Sequence, residues 1–237
     1  MRDSIRLSFR LTRLGKRLIY LYAGIYLVEL VCQHWLSLPV AEWLSLYPPL
    51  SPGFHVWQAA THAFIFDPYS PLSPVFSLIG FVFFAEPIER FFGTRRFLIF
   101  YFSAAAAAAA FGMLLSGVEA FSVPFCGIGP EVLALITAFG FLYPDLVIYL
   151  FFIIPVRAIW ISYITIGAAV LLFLGKADPW GAYHLGGILT ALFWVKGGRR
   201  LLSRDTWTLW WLRLRYRVRR RRFTVINGGK DKPPTLH

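Results

Sequence analysis

The stretch VPFCGIGPEVLALITAFG, residues 123–140, combines a long apolar run with unusual residues at its amino-terminal end. Two closely spaced glycines, a proline and the carboxylate of Glu131 open a segment that is otherwise apolar enough to lie in a lipid bilayer. A carboxylate near the start of such a segment is costly unless it is neutral, paired or hydrated. The stretch therefore predicts a membrane span with polar groups at its amino-terminal end.

The composition of the whole chain indicates an integral membrane protein. Of its 237 residues, 57% are hydrophobic and 15% are charged, and a soluble domain could not bury that much apolar surface. The formal net charge of +12 would suggest nucleic acid in a soluble protein, but here the basic residues are unevenly placed. Cys32 and Cys126 lie far apart in apolar surroundings, which indicates neither a metal site nor a disulfide framework. We expect no metal and no cofactor.

Six largely uncharged stretches approach the ~20 residues that a helix needs to cross a bilayer. They are 18–36, 72–88, 97–118, 123–144, 158–175 and 179–195. Six spans place both termini on one side, and Lys176 is then the only basic residue on the opposite face. Because Lys and Arg accumulate on the cytoplasmic side, the sequence predicts an all-α, six-span protein with both termini in the cytoplasm.

Three regions follow from this division. They are a basic cytoplasmic amino terminus (1–17), a membrane domain (18–196) and a basic cytoplasmic tail (197–237). In the tail, tryptophans at helical spacing alternate with arginines, so we expect it to lie on the inner leaflet and attract anionic headgroups. Nothing in the tail supplies base readout, and no nucleic-acid partner is expected. The apolar segment 146–156 is too short to cross and is predicted to lie along the inner surface.

The external segment 37–71 forms a long first loop without Lys or Arg. Within it, Val56, Ala60 and Ala63 would share one face of a short amphipathic helix in the membrane interface. The seven alanines at 104–110 predict a third span at the centre of the bundle, because small side chains let neighbouring helices approach closely.

Several motifs, taken in order, resemble the rhomboid superfamily of intramembrane serine proteases and their inactive relatives. They are VWQAATHAF in the first loop, FSLIGFVFFAEPIERFFGTRRFLIFYF across the second and third spans, CGIGPEVLALITAFGFLYPD opening the fourth, IPVRAIW entering the fifth and YHLGG in the last. Their order and spacing make the match specific. The resemblance implies a six-helix bundle with a long external first loop, in a bacterial inner membrane.

The family reaction needs a serine at the start of the fourth span and a histidine on the sixth to accept its proton. By this resemblance His184 is the histidine, Gly129 is the glycine after the nucleophile, and Ile128 occupies the serine position. Cys126 stands where the first glycine of the motif is usual. Isoleucine has no proton to give and no lone pair for attack, so the family reaction cannot run at that atom.

Two further departures accompany the missing serine. The family supplies oxyanion donors from a His and an Asn on the second span, where this chain has Ser73 and Ser77. Losing one such donor typically costs ~10² to 10³ in rate. On the last span, Tyr183 replaces a small residue before the histidine and Pro179 replaces a glycine, so Tyr183 is expected to crowd the cavity. Glycines expected to permit close helix packing are Gly127, Gly129, Gly186 and Gly187.

The resemblance implies a pseudoprotease that binds transmembrane segments of client proteins. One alternative is an active endopeptidase with a rearranged site, using a dyad of Cys126 and His184 or a displaced Ser122, Ser73 or Ser77. Another is a small transporter or channel built around Glu131. The carboxylate of Glu131 could instead cap its helix, or hydrogen-bond His184 or Tyr183.

Overall fold

Helices make up most of the chain described by a computed structural model, which covers residues 11–67, 70, 72–118, 123–150, 154–175 and 180–198. Within these residues there are eight α-helices and one β-hairpin: α1 (Arg13–His34), α2 (Val40–Leu44), α3 (Gln58–Thr61), α4 (Leu72–Phe92), α5 (Thr94–Leu115), α6 (Gly129–Leu142), β1 (Val147–Leu150), β2 (Ile154–Arg157), α7 (Ala158–Leu174) and α8 (Gly181–Phe193). A 3₁₀ turn, His62–Phe64, follows α3, and a π-helical turn, Trp194–Gly198, follows α8.

The chain up to Lys196 forms one compact unit. The second unit, Gly197–His237, contains the predicted basic tail and lies outside the described residues except for its first two positions. Ser122, Lys176 and Pro179 also lie outside them.

A helix stands at each of the six predicted spans, but their lengths differ. Two of them, α4 with 21 residues and α5 with 22, are long and apolar enough to cross a membrane by length and composition. Helix α6 has only 14 residues and α8 only 13. At 1.5 Å per residue α6 is about 21 Å long, less than the ~30 Å hydrocarbon core.

Helix α6 is shorter than predicted because the residues before Gly129 are engaged elsewhere. Phe125 and Leu46 exchange backbone hydrogen bonds of 2.8 and 2.9 Å, which ties this segment to the first loop. Gly127 then turns the chain with φ +101°, a conformation that side chains with a Cβ rarely adopt, and its N–H donates to His62 O at 2.9 Å. Gly127 therefore shapes the entry to α6, which differs from the helix packing expected of it.

Helix α1 begins earlier than its predicted apolar span. Thr12 caps it, since Thr12 Oγ1 accepts the Gly15 N–H at 2.9 Å, and the first turns carry Arg13, Lys16 and Arg17. Charged side chains at a helix end can reach the headgroup region, so counting apolar residues alone places the start too late.

The segment 146–156 is a β-hairpin, which the sequence did not predict. β1 and β2 pair antiparallel with Val147 opposite Arg157 and Tyr149 opposite Pro155, and Ala158 N–H donates to Leu146 O at 2.8 Å. Strand side chains alternate between two faces, so a short β-branched segment can bury one face without forming a helix.

In the first loop, the expected amphipathic helix is also different in the structure. Val56 precedes α3 and is 79% exposed, Ala60 is exposed, and Ala63 is 2% exposed. These three side chains therefore do not share one environment. The loop is organised by Gln58, whose side chain is fully buried and whose Oε1 accepts the N–H groups of Tyr47 and His55 at 3.3 and 3.0 Å.

Small residues lie at the contacts between the central helices. A Cβ added to Gly186 of α8 would lie 2.6 Å from Ala107 O of α5. A Cβ added to Gly187 would lie 2.7 Å from the carbonyl carbon of Pro130 in α6. Ala104 and Ala108 are fully buried on α5, and Ala108 lies at this contact with Gly186. Helix α8 thus touches the backbones of two neighbours at consecutive positions.

The described Lys and Arg residues all lie at one end of the bundle. Thr12 at the start of α1 donates a short hydrogen bond to Glu89 near the end of α4. Tyr143, just after α6, donates to Pro87 O at 3.2 Å, and Trp194, just after α8, packs on Phe92 with ring centroids 5.5 Å apart. The basic residues at this end are Arg13, Lys16, Arg17, Arg90, Arg95, Arg96, Arg157 and Lys196. We call it the basic end.

We expect Gly187→Ala to lower the free energy of unfolding by about 1–3 kcal/mol, because its methyl group would overlap the Pro130 backbone. Gly167→Ala is the matched control, since nothing lies within 4 Å of an added Cβ at that position of α7. Thermal unfolding in detergent, followed by circular dichroism, measures both. Equal stability of the two variants would contradict the close α6–α8 contact.

Candidate functional site

His184 lies beside the amino-terminal end of α6. It is in the first turn of α8, and its Nε2 atom would lie 3.0 Å from a Cβ added to Gly129. The Phe125 ring meets the imidazole edge to face, with centroids 6.3 Å apart. A side chain at position 129 would make a tight contact with the imidazole, which glycine avoids. Two of the predicted site residues, His184 and Gly129, are therefore neighbours in the structure.

Ile128 is the residue that immediately precedes α6. Its side chain is fully buried and belongs to a hydrophobic cluster with Phe66, Phe81 and Val132. The position that the resemblance assigns to a nucleophile is thus occupied by hydrocarbon packed among hydrocarbon. No proton or lone pair is available there for acyl transfer.

Tyr183 fills the space next to this site. The ring is fully buried and stacks on Phe125 with centroids 4.2 Å apart and 9° between the planes. A Cβ at Gly112 of α5 would overlap the Tyr183 ring, so the missing side chain at Gly112 makes room for the tyrosine. The Tyr183 hydroxyl donates to Val123 O at 3.5 Å. This tyrosine therefore packs against α5 and the segment before α6.

Cys126 is half-buried between the bridge to Leu46 and the turn at Gly127. Its thiol lies near the Ser45 hydroxyl, in the first loop. Ser45 Oγ in turn donates to Ala41 O at 2.6 Å. These contacts connect the thiol to the first loop.

Ser73 and Ser77 lie in the first turns of α4 and are partly exposed. Helix α4 approaches α6 at Gly80, where an added Cβ would lie 2.7 Å from Val132 Cγ1. Ser77 is three residues earlier, on the same side of the helix. A serine hydroxyl is shorter than the side chains that it replaces by the resemblance, so its reach toward α6 is smaller.

Glu131 lies in the first turn of α6 and is 1% exposed. Its carboxylate accepts its own backbone N–H and interacts electrostatically with the hydroxyls of Tyr22 and Tyr101. Those two hydroxyls are 3.1 Å apart and join α1 to α5. The Oε1 atom of Glu131 has no hydrogen-bond partner. The carboxyl group thus lies within electrostatic range of a tyrosine pair that the sequence did not indicate.

Two buried polar side chains anchor the first loop. Glu29 of α1 is 1% exposed and its Oε2 accepts the Phe66 N–H at 3.1 Å. His62 is 1% exposed and its Nδ1 lies 3.0 Å from Gln58 O, while its backbone carbonyl receives the Gly127 N–H. The position of an acid inside an apolar span marks Glu29 in the sequence, and the histidine within VWQAATHAF is the signal that could have identified His62.

The fold and site describe a helical integral membrane protein whose His184 meets the start of a short, glycine-opened helix. The sequence pattern of the rhomboid domain family matches residues 53–200, and the chain therefore belongs to the rhomboid family. No curated protein matches the sequence significantly.

His62 should make the stability of the fold depend on pH. Burial lowers the pKa of the His62 imidazole, so the unfolded chain binds more protons at this position than the folded chain. The contribution of His62 to the free energy of unfolding is then fully present above the unfolded-state pKa of about 6.5. It is lost as the pH falls below that value toward the lower pKa of the folded state. We expect the melting temperature of the wild type to decrease on acidification.

The variant His62→Gln removes the titrating group, and its melting temperature should decrease less over the same pH interval. The control is His55→Gln, since His55 is exposed in the same loop. Identical pH profiles of His62→Gln and the wild type would contradict this assignment.

Proposed function

We propose that this protein is a six-span rhomboid-like pseudoprotease that holds transmembrane helices of client membrane proteins without cleaving them. The observation that carries the proposal is Ile128, a fully buried aliphatic side chain just before the helix end that His184 adjoins. An isoleucine at the position that the resemblance assigns to the nucleophile offers the imidazole no hydroxyl to activate. Ser73 and Ser77, in place of longer oxyanion donors, weaken the case for acyl transfer further.

The proposed topology places the basic end in the cytoplasm of a bacterium, with the protein in the inner membrane. It rests on the clustering of the described Lys and Arg residues at that end. The short helices α6 and α8 would complete their crossings with the segments that precede and follow them. The domain limits 1–17, 18–196 and 197–237 and the binding of anionic headgroups by the tail belong to the same proposal.

The proposed client surface is the outer face of α4, where the exposed side chains follow helical spacing. These are Leu72 (65% exposed), Val75 (48%), Phe76 (68%) and Ile79 (46%). They form one apolar stripe along the first two turns. A guest helix in the bilayer can pack against such a stripe.

Photocrosslinking in native membranes tests this surface. We expect a benzophenone amino acid at position 76 to trap other membrane proteins, because Phe76 points outward. The same amino acid at position 81 is the matched control, since Phe81 is fully buried on the same helix. Client adducts equally abundant at both positions, or absent from both, would contradict helix binding at α4.

Activity assays separate the pseudoprotease from the endopeptidase alternatives. We expect no labelling by a fluorophosphonate probe and no cleavage of transmembrane substrates in proteoliposomes. Cleavage that Cys126→Ala abolishes would establish the thiol version, and probe labelling that one Ser→Ala change abolishes would establish a displaced serine. Either result would overturn the proposal.

A second candidate, a transporter or channel, is favoured by the unpartnered Oε1 of Glu131. Proton flux into proteoliposomes tests it with Glu131→Gln. The control is Glu89→Gln, whose carboxylate is already satisfied by Thr12 and Thr94. If the protein is a pseudoprotease, neither variant changes the background proton leak of the proteoliposomes. Flux that only Glu131→Gln abolishes would assign the protein to transport instead.

A further inference from the structure

The β-hairpin between α6 and α7 has one face that the protein itself covers. Leu146, just before β1, and Ile148 pack against the main hydrophobic cluster. Because strand side chains alternate, Val147 and Tyr149 point the other way, and they are 43% and 61% exposed. Among its described side chains, the hairpin is thus fixed to the bundle through one face.

The opposite face, which we call the hairpin outer face, consists of Val147, Tyr149, Pro155 and Arg157. Val147 pairs with Arg157 and Tyr149 with Pro155, and directly opposed residues lie on the same face of a sheet. Pro155 and Arg157 are exposed. The face therefore combines apolar groups, a phenol and a cation, and contains no acidic residue.

This face lies at the basic end of the bundle, where helices of an integral membrane protein leave the hydrocarbon. Tyr143 contacts Pro87 at that end, and Ala158 follows the hairpin directly into α7. One turn further, Trp160 and Tyr163 are 58% and 51% exposed, with ring centroids 6.0 Å apart. Tyrosine and tryptophan concentrate where headgroups meet acyl chains.

We propose that the hairpin outer face docks on the lipid headgroup region of the leaflet at the basic end, with Arg157 contacting lipid phosphate and Tyr149 inserted beside it. Charge complementarity selects this occupant, because lipid phosphates are anionic and the face carries a cation. A symmetric contact with a second copy would bring two Arg157 side chains to one interface. A two-stranded hairpin is marginally stable in water, and lipid contact would stabilise it. This docking does not depend on whether the site cleaves a client helix, binds it without cleavage or transports a solute.

The test measures the environment of position 149 in the full-length protein. A nitroxide is attached to Tyr149→Cys in a background with Cys32→Ala and Cys126→Ala, in nanodiscs that each hold one copy. The matched control is Asp145→Cys, in the exposed turn before β1. Unchanged circular dichroism and melting temperature show that each labelled variant is folded.

We expect the label at 149 to collide more often with oxygen than with a water-soluble nickel chelate, and the label at 145 to show the reverse. If the label at 149 is protected from the nickel chelate in phosphatidylcholine alone, the ligand is the phosphate group common to all these lipids. Protection only after phosphatidylglycerol is added indicates a net anionic headgroup as the ligand. Both results support docking, whereas equal chelate access at 149 and 145 in both lipids would overturn it.

Changing the cation tests the contribution of Arg157 directly. Because a cation near the surface contributes ~1 kcal/mol, Arg157→Gln should lower the lipid-docked fraction relative to the free fraction by about fivefold. Arg157→Lys should retain docking. Equal docking by Arg157→Gln and the wild type would contradict the proposed contact between Arg157 and lipid phosphate. Protection that requires two copies in one disc would assign the face to a dimer and overturn the proposal.

Discussion

The close backbone contact between α8 and α6 is the constraint on which the rest of the bundle depends. Gly187 lies against the backbone of Pro130, and His184, one turn earlier, lies against Gly129. In a bilayer, helices gain little from hiding apolar surface from each other, so approach distance and van der Waals packing determine their association. Absent side chains at these positions therefore both join the helices and place the imidazole at the start of α6.

The same contact holds the architecture of the site without a serine at position 128. The histidine is positioned by glycines and by Phe125, and none of these contacts requires a serine. Ile128 joins the hydrophobic cluster behind the site. An apolar residue there avoids leaving a buried hydroxyl unsatisfied, so the replacement is compatible with the stability of the fold. What remains is a helix bundle with a half-buried imidazole and an exposed apolar stripe on α4.

Buried polar side chains hold the first loop where apolar packing alone would leave it undefined. Gln58 closes the loop on itself, and Glu29 attaches its end to α1 through the Phe66 N–H. Each buried polar group needs partners, so such contacts specify one loop conformation. In the sequence, these residues are recognisable only as polar residues in apolar surroundings. Their partners, which lie up to 37 residues away, cannot be found from local periodicity.

Sequence by itself determined the class, the six helical segments and the identity of the residue at the nucleophile position, because hydropathy and motif order are properties of the chain. Tertiary structure decided where helices stop, since Phe125 and Gly127 hydrogen-bond to the first loop instead of extending α6. It also decided that 147–150 and 154–157 pair as antiparallel strands and that Glu131 lies within electrostatic range of Tyr22 and Tyr101. These outcomes depend on contacts between segments that are distant in the sequence. Such contacts override local secondary-structure propensity where they satisfy more backbone hydrogen bonds or bury more complementary apolar surface.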